Sequence, residues 1–181
     1  MKITIREITE VAMLVALALI LDMPFLKFKV WANGGSISFT MVPLFIIAWR
    51  YGPIKSYIYI AIVYCFPSLL LDGEPFYSYP FDYCLAYGSI ALSGIFAKQV
   101  LTEKFHWKGI LFLVVSILIA CSARILSHTI SSMVFYKFTF TTGLVYNVLY
   151  VGPCASLVLA ALLLLYKPLI DINRRFPVKS I

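Results

Sequence analysis

The chain has 181 residues, 62% hydrophobic and only 13% charged, and a mean hydropathy of +0.93 excludes a water-soluble domain. Its formal net charge of +7 does not point to nucleic acid, because the basic residues lie in short segments between apolar runs rather than in one patch. Four cysteines, Cys65, Cys84, Cys121 and Cys154, fall in apolar stretches without CxxC spacing, which argues against a disulfide framework and against a zinc site.

Apolar runs over residues 9–25, 37–49, 56–71, 81–100, 110–135 and 144–165 predict six transmembrane helices in an all-α bundle embedded in the lipid bilayer. A span needs roughly 20 apolar residues, so the length leaves room for one membrane domain, 1–181, and no second soluble one. Lys2 and Arg6 precede the first run as they would in a signal peptide, but no small-x-small cleavage site follows, and the run is read as a mature helix. Within it Ala12 and Ala16 form a small-xxx-small face, suited either to internal packing or to the close approach of a partner helix. The second run is short and reads as off-centre or partly re-entrant. Pro67 is expected to kink the third, since it lacks an N–H and its ring clashes one turn back.

The basic residues give an orientation. Lys2, Arg6, Arg50, Lys55, Lys98, Lys104, Lys108, Lys167, Arg174, Arg175 and Lys179 flank one side of the runs, and Lys27, Lys29 and Lys137 the other. This asymmetry places both termini in the cytoplasm of a multi-pass cell-membrane protein. No GxxxxGK[ST] phosphate loop is present, so the chain is not expected to drive transport with ATP by itself.

The outer loops and helix ends collect Trp31, Asn33, Asp72, Glu74, Tyr77, Tyr79, Asp82, Tyr83, His128, Tyr136, Tyr146 and Asn147. Ring faces attract a cation and a nearby carboxylate completes a site for a flat, positively charged ligand; an aromatic belt at headgroup level is the plainer explanation of the tyrosines taken singly. Depth favours a site. At about 1.5 Å per residue, His128 lies about 30 Å above Lys108, level with Asp82 at the start of the fourth run and Asn147 at the start of the sixth. Ser132 and Tyr136 follow His128 at helical spacing. Arg124, one turn below, should face the bundle and pair with a carboxylate or with carbonyls, Asp22 or Asp82 being the expected partner, either as a buried ion pair fixing register or as a ligand contact.

Four segments resemble the ThiT-type thiamine S components of energy-coupling-factor transporters. They are residues 31–38 (WANGGSIS) with Met41, Val42 and Pro43, residues 81–86 (FDYCLA), residues 123–128 (ARILSH) with Ile130 and Ser131, and Val145, Tyr146 and Asn147 with Tyr150 and Pro153. The resemblance implies a thiamine-binding protein of six helices, not an enzyme, holding no cofactor or metal. It implies docking on a transmembrane coupling subunit (EcfT type) that works with two cytoplasmic ATPases (EcfA type). On these positions it implies binding by Trp31, Asp82, Tyr83, His128, Tyr136 and Asn147, with Tyr146 beside them, under a lid containing Asn33, Gly34, Gly35 and Ser36. It implies docking through Ala12 and Ala16; the third alanine of that face falls at Ile20, Asp82 stands where glutamate is common, Tyr136 where tryptophan is common, and Thr142 where the family has a tyrosine. Rival expectations are an S component for another flat vitamin or a thiamine precursor, an intramembrane enzyme using His128 and Asp82 as an acid–base pair, and a purely structural membrane subunit. The enzyme reading lacks a nucleophile with a matched base.

Overall fold

The computed structural model describes residues 3–31, 34–101 and 106–178, apart from the side chains of Trp31 and Gly34. The protein is a mostly helical membrane protein. Among the described residues three helical stretches are long and apolar enough to cross a bilayer, Met41–Asp72, Trp107–Tyr136 and Phe140–Arg175.

Helix α1, Ile5–Leu21, opens where Thr4 accepts the Glu7 amide on its hydroxyl at 3.2 Å, satisfying one of the donors a helix start leaves bare. Ala12 and Ala16 lie on its exposed face, while Val11, Val15 and Ala18 turn into the core. After α1 the chain forms an antiparallel hairpin of β1, Phe28–Trp31, and β2, Gly34–Ile37, paired Phe28 to Ile37 and Lys29 to Ser36. The runs of apolar residues alone gave no sign of this small sheet, which caps one end of an otherwise all-α molecule.

The second and third expected runs are joined in one helical stretch composed of α2, Met41–Ile58, a π-helical turn, Tyr59–Tyr64, and α3, Cys65–Asp72. Its path breaks at Gly52, whose φ of 74° and ψ of 174° suit a residue without a Cβ, and Pro53 restarts the helix where a missing N–H does least harm. The two arms run in opposite directions. Arg50 and Lys55, on either side of the break, reach Glu10 and Glu7 near the start of α1, whereas Tyr64 and Ser68 reach Asp22 at its end. The π turn lies just before Pro67, where the expected disturbance of the ladder appears as a widened turn.

The fourth stretch is irregular throughout: a 3₁₀ turn, Phe76–Ser78, a π turn, Tyr79–Leu85, one turn of helix α4, Ala86–Gly88, a 3₁₀ segment, Ser89–Phe96, and α5, Ala97–Val100. The 3₁₀ segment packs closely on α2. A Cβ on Gly94 would sit 2.6 Å from the Ala48 carbonyl oxygen and 2.8 Å from the Pro53 nitrogen, so only glycine admits this approach to the break at Gly52. Helices α6, Trp107–Tyr136, and α7, Phe140–Arg175, complete the bundle. α7 runs beyond the expected apolar segment because Leu169 and Ile170 stay buried among its polar last turns. Arg6 donates to the Phe176 carbonyl at 2.9 Å, which ties the start of α1 to the end of α7.

Candidate functional site

At the end of the bundle away from this junction, the π turn Tyr79–Leu85 faces α6. Ser127, His128 and Ser131 lie on one face of α6 at helical spacing, and each bonds that turn. Ser127 donates to the Phe81 carbonyl at 2.8 Å, Ser131 donates to Asp82 Oδ2 at 2.7 Å, and His128 Nδ1 lies 3.0 Å from Asp82 Oδ1. π turns of this kind recur at functional sites, where the extra residue re-aims its neighbours.

Tyr83 is buried and donates to Asp72 Oδ2 at 2.8 Å. Asp72 also pairs with Lys27, which reaches Asp22 at 3.3 Å, so the loop leading into the hairpin is fastened to the ends of α1 and α3. Burial opposes the Lys27 charge, but the hydrogen bond to Asp72 and the charges of Asp22 and Asp72 outweigh it and hold the ammonium above the ordinary lysine range. From α7, Asn147 donates to Ser132 Oγ at 3.2 Å and to the Gly143 carbonyl at 2.8 Å.

These groups surround a cavity of about 500 Å³, a size suited to a small organic ligand. Asp82, Tyr83, His128, Tyr136, Tyr146 and Asn147 all line it, as do Gly35 and Ser36 from the hairpin. Gly34 pairs with Trp31 across the two strands; the side chain of Trp31, and Asn33 altogether, lie outside the described residues. Asp72 and Glu74 line the cavity too. Partial burial and the charges of Asp72 and Asp82 push the Glu74 carboxyl above the usual carboxylate range. Tyr77 and Tyr79 pack elsewhere, against Phe135 and against Phe66 and Phe76.

Arg124 requires a correction. It lines the cavity, but none of the described ion pairs joins it to Asp22 or Asp82. Its guanidinium lies 4.0 Å from the centroid of the Tyr87 ring, and its Nε donates to His128 Nε2 at 3.3 Å. Asp22 is taken up by Ser68, Tyr64 and Lys27, and the His128 imidazole stands between Arg124 and Asp82, bonding both.

Cavity residues absent from the expected site are Lys27, Lys29, Ser78, Tyr87, Phe138 and Tyr150. Helical spacing from Tyr83 and Tyr146 was the signal for Tyr87 and Tyr150, whereas nothing local marks the two lysines. Tyr150 meets the His128 ring edge-on at 5.9 Å, and Tyr146, Phe138 and Tyr136 continue a wall of ring contacts at 5.9 to 6.1 Å. Among the described residues no three His, Cys, Asp or Glu side chains converge to hold a metal ion. The arrangement offers ring faces, an accepting carboxylate and a buried amide around one volume, which is the chemistry of binding a flat cation.

The comparisons agree with a transport role. Residues 8–173 match the family described as thiamine transporter protein. A relative named thiamine transporter ThiT, from Bacillus subtilis (strain 168), is 30% identical over 172 residues, covering 87% of this chain and 88% of the relative. A solved structure of ThiT from Listeria monocytogenes shares the fold at a TM-score of 0.65 and 22% identity, covering 95% of this chain and 94% of that one. This chain therefore belongs to the thiamine transporter protein family, whose members are transporters and not enzymes.

Proposed function

We propose that this chain captures thiamine at the outer face of the cell membrane with high affinity, as the S component of an energy-coupling-factor transporter. The observation that carries the reading is the cavity in which Asp82 stands among the rings of His128, Tyr136, Tyr146 and Tyr150. Thiamine combines a cationic thiazolium, an aminopyrimidine and a hydroxyethyl tail. Asp82 has two oxygens with about four lone-pair sites, of which Ser131 and His128 engage two, so it can also accept from the aminopyrimidine amine. His128 and Tyr136 offer stacking faces at about 0.5–2 kcal/mol per cation–π contact, Trp31 would add a third from the lid, Asn147 would bond a polar edge, and Tyr83 and Tyr146 close the walls. Submicromolar affinity requires the hairpin with Asn33, Gly34, Gly35 and Ser36 to close as a lid and exclude water.

The same reading has six crossings when the Met41–Asp72 stretch is counted as two arms at Gly52, with both termini in the cytoplasm; the clustering of Lys and Arg near the start of α1 and the end of α7 supports it. The exposed Ala12 and Ala16 face would dock on an EcfT-type coupling subunit, with two EcfA-type ATPases powering reorientation of the loaded bundle. Competition binding tests the substrate: thiamine should displace labelled thiamine, and other flat vitamins should not at comparable concentration. Displacement by another vitamin at lower concentration than thiamine would assign the cavity to that vitamin.

A further inference from the structure

We infer that Arg124 is a positioning residue that fixes His128 as a neutral imidazole with its proton on Nδ1, so that the cavity floor accepts a cation; this rests on the thiamine reading above. Arg124 is only 6% exposed and none of the described ion pairs involves it. An arginine keeps its protons in any protein, so its Nε–H can only donate. At 3.3 Å from that donor, His128 Nε2 must present a lone pair. The single ring proton then belongs to Nδ1, 3.0 Å from Asp82 Oδ1, to which it donates. An imidazolium would set N–H against N–H at the first of these contacts. The hydrogen bonds run in one direction, from arginine through imidazole to carboxylate.

The groups facing His128 from the neighbouring elements are Asp82 on the π turn and Tyr150 on α7, so Arg124 is the one cation among its described contacts. The charge balance explains the consequence. Lys27, Lys29 and Arg124 line the cavity with Asp72, Glu74 and Asp82, three cations against three anions among the described residues. A charged His128 would tip that balance against a cationic ligand and cancel Asp82 directly. A neutral one leaves Asp82 its charge and presents an uncharged ring face to the thiazolium. Arg124 thus acts through His128, and its own charge is spread over the Tyr87 ring.

The test is the nitrogen NMR spectrum of ligand-free protein in detergent at pH 7.5. The chain has two histidines, so His106→Gln leaves His128 as the source of the signal. The expected spectrum shows a protonated Nδ1 and an unprotonated Nε2. Arg124→Met should mix the tautomers and weaken thiamine binding about tenfold, the loss of one charge-assisted hydrogen bond, whereas Arg124→Lys, which keeps a donor, should restore the Nδ1 signature and most of the affinity. A protonated Nε2 in the parent spectrum overturns the inference whether or not Arg124→Met folds, as does an Arg124→Met protein that keeps both signature and affinity. Failure of the parent protein to bind thiamine would overturn the substrate reading, while the ligand-free spectrum decides the tautomer by itself.

Discussion

Both ends of the bundle bury charge, but they use it differently. At the end where α1 begins and α7 finishes, Glu7 accepts from Lys55 at 2.8 Å on both oxygens and from Tyr59 at 2.7 Å. Beside it Arg50 donates to Glu10 at 2.9 Å, to the Phe176 carbonyl at 3.2 Å and to Asn173 at 3.4 Å. Arg50 and Lys55, on either side of the break at Gly52, each meet an opposite charge on α1, and the result is a clasp. At the cavity end Asp82 meets a hydroxyl and an imidazole rather than a full opposite charge, and about 500 Å³ lies open before it. Buried charge by itself does not mark a site. Charge with acceptor capacity left over, beside ring faces and empty volume, does.

The largest expected effect comes from breaking the clasp. Arg50→Met removes the cation that pairs with Glu10 and one of the two donors to the Phe176 carbonyl, and should destabilise the protein by about 3 kcal/mol, read from denaturation in detergent. Thiamine affinity of the protein that remains folded should match the parent, because the clasp is remote from the cavity. A large loss of affinity with unchanged stability would reverse the roles assigned to the two ends.

Asp82→Asn should show the opposite pattern. Calorimetric titration should find thiamine binding weaker by about 1.5–3 kcal/mol, as expected for a hydrogen bond to a charged group, with the thermal midpoint close to the parent. Equal affinity in the folded variant would remove Asp82 from the site.

Acid should weaken binding by a smaller amount through Glu74. Its carboxyl is raised in the free protein, and a bound cation favours the ionised form and draws it down. Affinity is therefore full above the raised free-state value and falls as pH drops through it, beginning at a higher pH than an ordinary glutamate would give. Glu74 is exposed, so the effect is screened to about 1 kcal/mol or less. Glu74→Gln should flatten this part of the pH profile, and an unaltered profile would assign the acid loss to another group.

The smallest effect on affinity, none, is expected for Ala16→Leu. Ala16 lies on the exposed face of α1, and a leucine there would separate a docked helix and lose its close contacts. Uptake in cells containing the coupling subunit and ATPases should fall while binding is kept. Normal uptake would show that this face meets only lipid.

Much of this arrangement was legible in the residues, for identifiable reasons. Helix rise alone put Asp82, His128 and Asn147 at one level, and in the structure Asp82 touches His128 directly while Asn147 joins through Ser132, which donates to the His128 carbonyl at 2.8 Å. Periodicity does not reveal which partner a buried charge takes. Arg124 had two carboxylates within reach by spacing, and side chains from distant segments, Ser68 and Tyr64 among them, had engaged Asp22 first. The hairpin escaped notice because two strands of four residues are too short to carry an alternating pattern. The broken geometry of the fourth stretch escaped as well, since π and 3₁₀ turns arise from packing such as that of Gly94 on α2 and leave the apolar run looking like ordinary helix.

Titration of the purified protein with thiamine, followed by tryptophan fluorescence, tests the central claim most directly. Trp31 is the tryptophan at the hairpin, whereas Trp49 is buried with its indole donating to Ser116 at 3.3 Å and Trp107 opens α6. A saturable quench at submicromolar thiamine that is lost in Trp31→Phe, with binding weakened in Asp82→Asn, is the predicted result. A fluorescence change that survives intact in Trp31→Phe would contradict the lid, and no saturable binding at any accessible concentration would contradict thiamine capture itself.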